Sequence, residues 1–210
     1  MIDSRSSESG PLTIGFEKTE IRDSPETFAA TFLRNKAIVL PKLISQPLIG
    51  KLVQRCRTGR FIPDTVEGLG TREVEAPQIV GGAITLLLRR PAVLRWVEEA
   101  TGCGPLATVV GRVVQTRAND GDRLRWHDDL DDTGRRLGVT IGLSDTPHGG
   151  GEFQIRSRRE SDVTFSFHHG TAGTGLIFDI RTELVHRVMP LLEGGPRRVY
   201  TGWFMQTAPN

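Results

Sequence analysis

The stretch LVHRVMPLLEGGPRRVYTGWF, residues 184–204, holds the pattern on which the fold turns. Two short apolar segments, LVHRVMPL and RRVYTGWFM, flank the turn-forming LLEGGP, and segments of that length bounded by Gly and Pro read as β-strands. Working back toward residue 105, the same alternation recurs in LATVVGRVVQT, RLRWHD, RLGVTIGLS, GEFQIR, DVTFSF and GLIFDI, with ANDGD and SDTPHGGG among the turns. About eight strands with no room for helices between them pair antiparallel, which predicts a sandwich or jelly roll.

The half before residue 105 reads differently. Ser24-Pro25-Glu26 is a helix start, with Phe28, Phe32 and Leu33 on one face behind it. AIVL (37–40) is a short strand before Pro41. Ser45 opens a second helix in which Leu48, Ile49, Leu52, Val53 and Cys56 recur at helical spacing, and a third follows Arg90-Pro91, carries Val93, Leu94, Val97 and Ala100, and closes at Gly102. Residues 57–80 are rich in Gly, Pro and charge and read as a long loop, the place for a substrate lid. Residues 1–12 are polar with no hydrophobic period and read as a disordered leader. The expectation is a mainly β fold with α support: one domain over 13–210, with helical support at 13–104 and a cupin-like jelly-roll core at 105–206.

Composition narrows the function classes. The chain has 210 residues, 37% hydrophobic and 25% charged, enough to bury a core without covalent staples. Cys56 and Cys103 stand far apart with no CxxC or Cys/His spacing, which argues against a zinc ribbon, an iron–sulfur site or a disulfide framework. No apolar run has the length to span a bilayer, and the N-terminus lacks a signal-peptide core, so the sequence reads as cytoplasmic with no membrane partner. Lys+Arg total 27 against 25 Asp+Glu, a net charge of +2. Arginine supplies all but four of the positive charges, yet acids are interleaved among them, which argues against a nucleic-acid groove. Oligomeric state is not readable.

Five histidines are few, so their positions carry weight. His127 and Asp129 end the strand RLRWHDD and, two residues apart, project to one face while Asp128 points away. His186 lies in an apolar strand, where a lone histidine needs a reason, and is the natural third partner. Two imidazoles and a carboxylate occupy one face of an octahedral metal and leave three positions open, as in non-haem Fe(II) oxygenases. Eleven residues after His186 comes Arg197, a planar fork of donors suited to a carboxylate in a dry pocket.

The ordered combination of HDD (127–129), GGGEF (149–153) and LVHRVMPLLEGGPRRVYTGWF (184–204) resembles the prolyl-4-hydroxylase-like branch of the Fe(II)/2-oxoglutarate-dependent dioxygenases, over roughly residues 105–205. The resemblance implies a double-stranded β-helix with His127, Asp129 and His186 as ligands of Fe(II), and no catalytic residue beyond the metal centre. It makes Arg197 the partner of the distal carboxylate of 2-oxoglutarate. The family's spacing from arginine to tryptophan, counted back from Trp203, selects Arg197 over Arg198. It also implies hydroxylation of an aliphatic C–H bond with O2 as co-reactant and succinate and CO2 as products, on an amino acid, peptide or small natural product. One departure stands out: the family's tyrosine before HxD falls at Ala118 here. Gln115, Thr116 or Arg117 are the candidates to replace it, and Arg125 and Trp203 are further candidates for substrate or cosubstrate contact. Because Asp129 is a carboxylate, the halogenating variants are disfavoured.

Blander readings apply elsewhere. His168 and His169 read as surface histidines in a hairpin, His148 as a turn residue, and Trp126 and Trp203 as core or pocket wall. Two rival functions remain: a cupin-like metal barrel, isomerase or sensor, that uses no 2-oxoglutarate and gives Arg197 no role, and a degenerate barrel that only binds.

Overall fold

The computed structural model describes residues 10–118, 124–130, 134–181 and 183–206. Residues 1–9 of the expected leader lie outside that set, but its last residues are part of the fold: Leu12 is fully buried and opens the first strand. Strands β1 (Leu12–Ile14) and β2 (Thr19–Ile21) form a small ribbon ahead of α1 (Glu26–Asn35), β3 (Ala37–Leu40) and α2 (Gln46–Arg57). Then come β4 (Phe61–Val66), β5 (Gly70–Glu75), α3 (Ile79–Leu88) and α4 (Pro91–Thr101). The stranded half supplies β6 (Thr108–Thr116), β7 (Leu124–His127), β8 (Arg135–Gly142), β9 (His148–Gly150), β10 (Phe153–Ser157) and β11 (Val163–Phe167). It ends with β12 (Gly175–Asp179), β13 (Leu184–Val188), β14 (Leu191–Gly194) and β15 (Arg197–Met205).

The expected jelly roll with helical support is what forms. A large sheet ordered β3-β12-β8-β15-β6-β5-β4 faces a small one ordered β11-β10-β13-β7, and every named pair is antiparallel. The alternation of β15 shows how the core divides. Tyr200 and Phe204 point to the helices and join a large apolar cluster with Ile84, Leu88, Trp96 and Val97. Trp203 points the other way, into a second cluster with Phe153 and Phe178 that fills the space between the sheets. Tyr200 is completely buried, and its hydroxyl shares a 2.8 Å hydrogen bond with Thr85 of α3.

The helical pattern was legible where one face was apolar and the other polar. α2 buries Leu48, Ile49, Leu52 and Cys56 behind its N-cap Ser45, and α4 closes on Gly102 in the left-handed conformation. On α1, however, Leu33 is exposed, and only Phe32 and Phe28 of the expected trio turn inward.

The expected long loop at 57–80 is instead a hairpin. β4 and β5 pair through six residues each and extend the large sheet beyond β6, with Pro63 inside β4. The segment's charges and proline suit a strand with one solvated face. The helix that follows, α3, was not read from the sequence because IVGGAITLLL is apolar nearly all round and has no polar capping residue before it. Its cap comes from β5: the buried Glu75 carboxylate accepts the N–H groups of Val80 and Gly81 at 3.0–3.1 Å. A carboxylate at a helix N-terminus satisfies orphan donors and the helix dipole together.

Candidate active site

β7 and β13 are neighbours, and their register sets His127 directly opposite His186. Sequence places these histidines far apart; the sheet makes them a cross-strand pair with ring centroids 4.3 Å apart. Asp129, just past the end of β7, brings its carboxylate to within 3.2 Å of His186 Nε2 and 3.6 Å of His127 Nε2. One donor atom from each residue lies within 4.8 Å of the others.

Each donor is held from behind. His127 Nδ1 donates to the Arg125 carbonyl at 2.6 Å, which fixes the tautomer that leaves Nε2 with a free lone pair. Trp203 Nε1 donates to Asp129 Oδ2 at 2.9 Å. The rings of Phe153 and Phe178 lie 5.4 and 5.0 Å from the His186 ring and close that side with apolar surface. Phe178 in turn rests on Gly138, where a Cβ would overlap its ring.

Electrostatics follow the packing. Burial and then the neighbouring His186 push His127 below its ordinary value, against the opposing pull of the Arg125 carbonyl and Asp129. Burial raises the Asp129 carboxyl, but the hydrogen bond and charge of His186, then His127 and Trp203, outweigh it and hold the group at about 2. Burial thus favours the neutral imidazole at His127 beside an ionised Asp129 carboxylate, the donor forms a divalent metal requires. This donor set, borderline nitrogen with hard oxygen, suits Fe(II).

A cavity of about 310 Å³ opens between the sheets, with the triad in its wall together with Arg197, Thr116, Thr140 and Thr201. Arg197 is 4% exposed, and its Nε has no hydrogen-bond partner. Burial lowers its pKa to about 10, with Glu152 a weaker opposing influence. Gly151 makes room for it: at φ 76° a Cβ there would stand 2.6 Å from Arg197 Cδ. A buried cation with an unused donor inside a cavity fits an anionic ligand such as the distal carboxylate of 2-oxoglutarate.

Strand parity decides the other candidates. On β15, Arg197, Val199, Thr201 and Trp203 face the cavity, and β6 answers with Arg112, Val114 and Thr116. Gln115 pairs with Arg198 on the opposite face and bonds there to Glu73 and to Arg198 Nε, so the structure does not bring it to the site. Arg117 is exposed and pairs with Glu73, and Arg125 is exposed beyond the cavity. Arg198 reaches Asp145 at 3.2 Å. Arg123, which by strand parity shares a face with Arg125 and His127 in the sequence, lies outside the described residues.

Three aromatic readings change as well. His169 is not a surface histidine: it is 2% exposed, shares a 2.8 Å hydrogen bond with Thr140, and is pushed well below its ordinary pKa by burial and then by Arg197. His168 stacks near His148, ring centroids 4.8 Å apart. Trp126 is neither core nor pocket wall but lies between the guanidiniums of Arg156 and Arg187, at 4.6 and 4.4 Å. Sequence reasoning also missed Arg72, Arg112 and Arg135, which line the same cavity; the parity that selects Arg197 would have found Arg112, five residues from Arg117 on the paired strand.

Comparison with known proteins agrees with the motif. Residues 112–205 match the model of the 2OG-Fe(II) oxygenase superfamily, which bears out over that stretch the resemblance read from the sequence. Among curated proteins, none matches the sequence significantly. Similar solved structures include a Pseudomonas putida prolyl-4-hydroxylase, with 17% identity, TM-score 0.67, and coverage of 88% of this chain and all of that one. A Burkholderia pseudomallei oxidoreductase of the 2OG-Fe(II) oxygenase family aligns at 15% identity and TM-score 0.66, covering 94% and 97% of the two chains. A Trichoplax adhaerens prolyl hydroxylase, solved with a peptide fragment of hypoxia inducible factor, aligns at 14% identity and TM-score 0.67 over 86% and 89%. At these identities the structures speak for the fold.

Proposed function

We propose that this chain, an oxygenase of the 2OG-Fe(II) superfamily over its stranded half, is a hydroxylase that inserts oxygen into an aliphatic C–H bond of an amino acid, peptide or small natural product. The observation that carries the reading is the joint placement, in one cavity, of two histidines and a carboxylate in ligand geometry and a buried arginine with an unused donor.

His127, Asp129 and His186 would hold Fe(II), and Arg197 the distal carboxylate of 2-oxoglutarate. Iron bound with 2-oxoglutarate and O2 supplies the oxidising power for C–H cleavage, with succinate and CO2 as the co-products. The chain's own residues position and exclude. The Arg125 carbonyl holds the His127 tautomer, and Trp203 orients Asp129 through its indole N–H. Phe153 and Phe178 keep water from one side of His186, and Arg197 sets the distance at which a dicarboxylate can anchor. Because Gln115 and Arg117 point elsewhere, cavity-lining hydroxyls such as those of Thr116, Thr140 and Thr201 are the candidates to replace the family's missing tyrosine.

The test is anaerobic titration with Fe(II) and 2-oxoglutarate, reading the visible charge-transfer band, followed by succinate release on admitting air. The band is expected in the wild type and lost in His127→Ala. Identical behaviour of the two proteins overturns the reading. No helix among the described residues is long and apolar enough to cross a membrane.

A further inference from the structure

Three arginines in the cavity wall have no part in the proposed iron or 2-oxoglutarate chemistry: Arg72 on β5, Arg112 on β6 and Arg135 on β8. Arg72 is 9% exposed and donates through Nε to Asp64 Oδ2 at 2.9 Å. Arg112 Nη1 approaches that same oxygen at 3.7 Å. One carboxylate thus serves two guanidiniums. Arg135 lies over the Trp203 ring, 3.9 Å from its centroid, and gives Nη1 to the Asp129 carbonyl oxygen. Asp128, a further acid of the wall, is engaged by Arg158.

Burial and then Arg72 hold Arg112 below the ordinary arginine range, with Asp64 opposing and Arg135 adding to the depression. Cations crowded on the wall of a low-dielectric cavity repel one another, and an anion entering between them removes that repulsion. If Asp129 is matched to the iron and Arg197 to 2-oxoglutarate, Asp64 is the acid, among the described residues, that pairs with Arg72 and Arg112, one carboxylate against two guanidiniums. Planar guanidinium forks are suited to two-point contact with an anionic oxygen group.

We propose that the cavity recognises a small substrate through an anionic oxygen group, a carboxylate or a phosphate, held by Arg72 and Arg112 at the mouth while its aliphatic part faces the His127–Asp129–His186 triad. The proposal rests on the oxygenase reading and deepens it. The cavity's volume, about 310 Å³, favours a molecule of amino-acid size over a folded protein partner. The β4–β5 hairpin is then the specificity element: it carries both Asp64 and Arg72, and the end of β4 and the turn after it contribute Val66 and Leu69 to the wall.

The experiment uses the full chain loaded anaerobically with Fe(II) and 2-oxoglutarate, with N-acetyl amino acids, the matching N-acetyl amides and inorganic phosphate as probes. Binding is read in two ways: as a shift of the charge-transfer band, and by calorimetric titration of loaded and metal-free protein. Acids are expected to bind and their amides not to, with phosphate competing if the subsite accepts either oxyanion. Arg112→Gln should weaken the acids about tenfold or more, Arg112→Lys should recover part of that loss, and the 2-oxoglutarate affinity should stay within about twofold in both. Equal binding of acids and amides, or of neither, overturns the anion subsite. A loss of 2-oxoglutarate affinity in Arg112→Gln as large as that for the acids also overturns it, since the arginines would then serve the cosubstrate. Absence of the band in wild type with intact calorimetric binding of acids fails the oxygenase reading alone.

Discussion

The two faces of β15 differ in chemistry though they belong to one strand. Toward the helices, Tyr200 and Phe204 are fully buried and the Tyr200 hydroxyl has its partner in Thr85. Toward the cavity, Arg197 is nearly as buried but carries an unpartnered Nε, and Thr201 and Trp203 line open space. One face has its polar groups satisfied internally and works for stability. The other keeps donors in reserve and pays in stability for a ligand yet to arrive.

The sharpest way to break that contrast is a pair of substitutions. Phe204→Ala should cost about 3–5 kcal/mol and lower the thermal midpoint by roughly 10 °C. Arg197→Met should leave the metal-free protein at least as stable as wild type, because it removes a buried cation that Glu152 offsets only weakly, while weakening 2-oxoglutarate by about 30-fold or more. Calorimetric melting and 2-oxoglutarate titration of both variants decide it; a destabilised Arg197→Met with normal cosubstrate affinity would erase the distinction.

A smaller effect follows from His169 on the cavity side. Its folded pKa is lowered, so as pH falls the unfolded chain takes up the proton first. Its contribution to stability is complete above about pH 6.5 and declines below it, by at most about 1.4 kcal/mol per pH unit. Urea denaturation of the metal-free wild type and His169→Gln at pH 7.5 and 5.5 should show the wild type losing more stability between the two. Parallel losses would place His169 outside the buried cluster. The smallest effect sharpens the helix side: Tyr200→Phe leaves Thr85 without its partner and should cost about 1 kcal/mol, with 2-oxoglutarate affinity unchanged.

How much of this the sequence carried depended on whether the signal was local. Strand alternation and turn residues are local, so the jelly roll and most strand positions were legible, and α2 and α4 announced themselves through apolar spacing and their closing residues. α3 was not legible because its cap, Glu75, comes from another strand and its apolar surface has no polar side to give a period. The hairpin at 61–75 reads as loop from sequence because Pro63, the glycines and the charges of its solvated face mask the alternation of two strands whose pairing is local. At the site, HxD and the distal histidine could be picked out by residue type. That His127 and His186 are register partners could not, because cross-strand pairing is set by the sheet. Gln115 and Arg117 failed as cosubstrate contacts for the same reason: the β15–β6 register sets Gln115 opposite Arg198, not Arg197.

Pro63 deserves a last consequence. The hairpin that walls the cavity also ends the seven-stranded sheet, and β4 has β5 as its one neighbour in that order. A bare outermost strand is a template on which a second chain can add, and two copies zipped together along β4 would bring a foreign strand against the rim that carries Asp64. Proline removes one of the donors such growth needs, and Asp64 beside it adds charge. A residue with no part in the proposed chemistry thereby makes β4 a poorer template for strand addition.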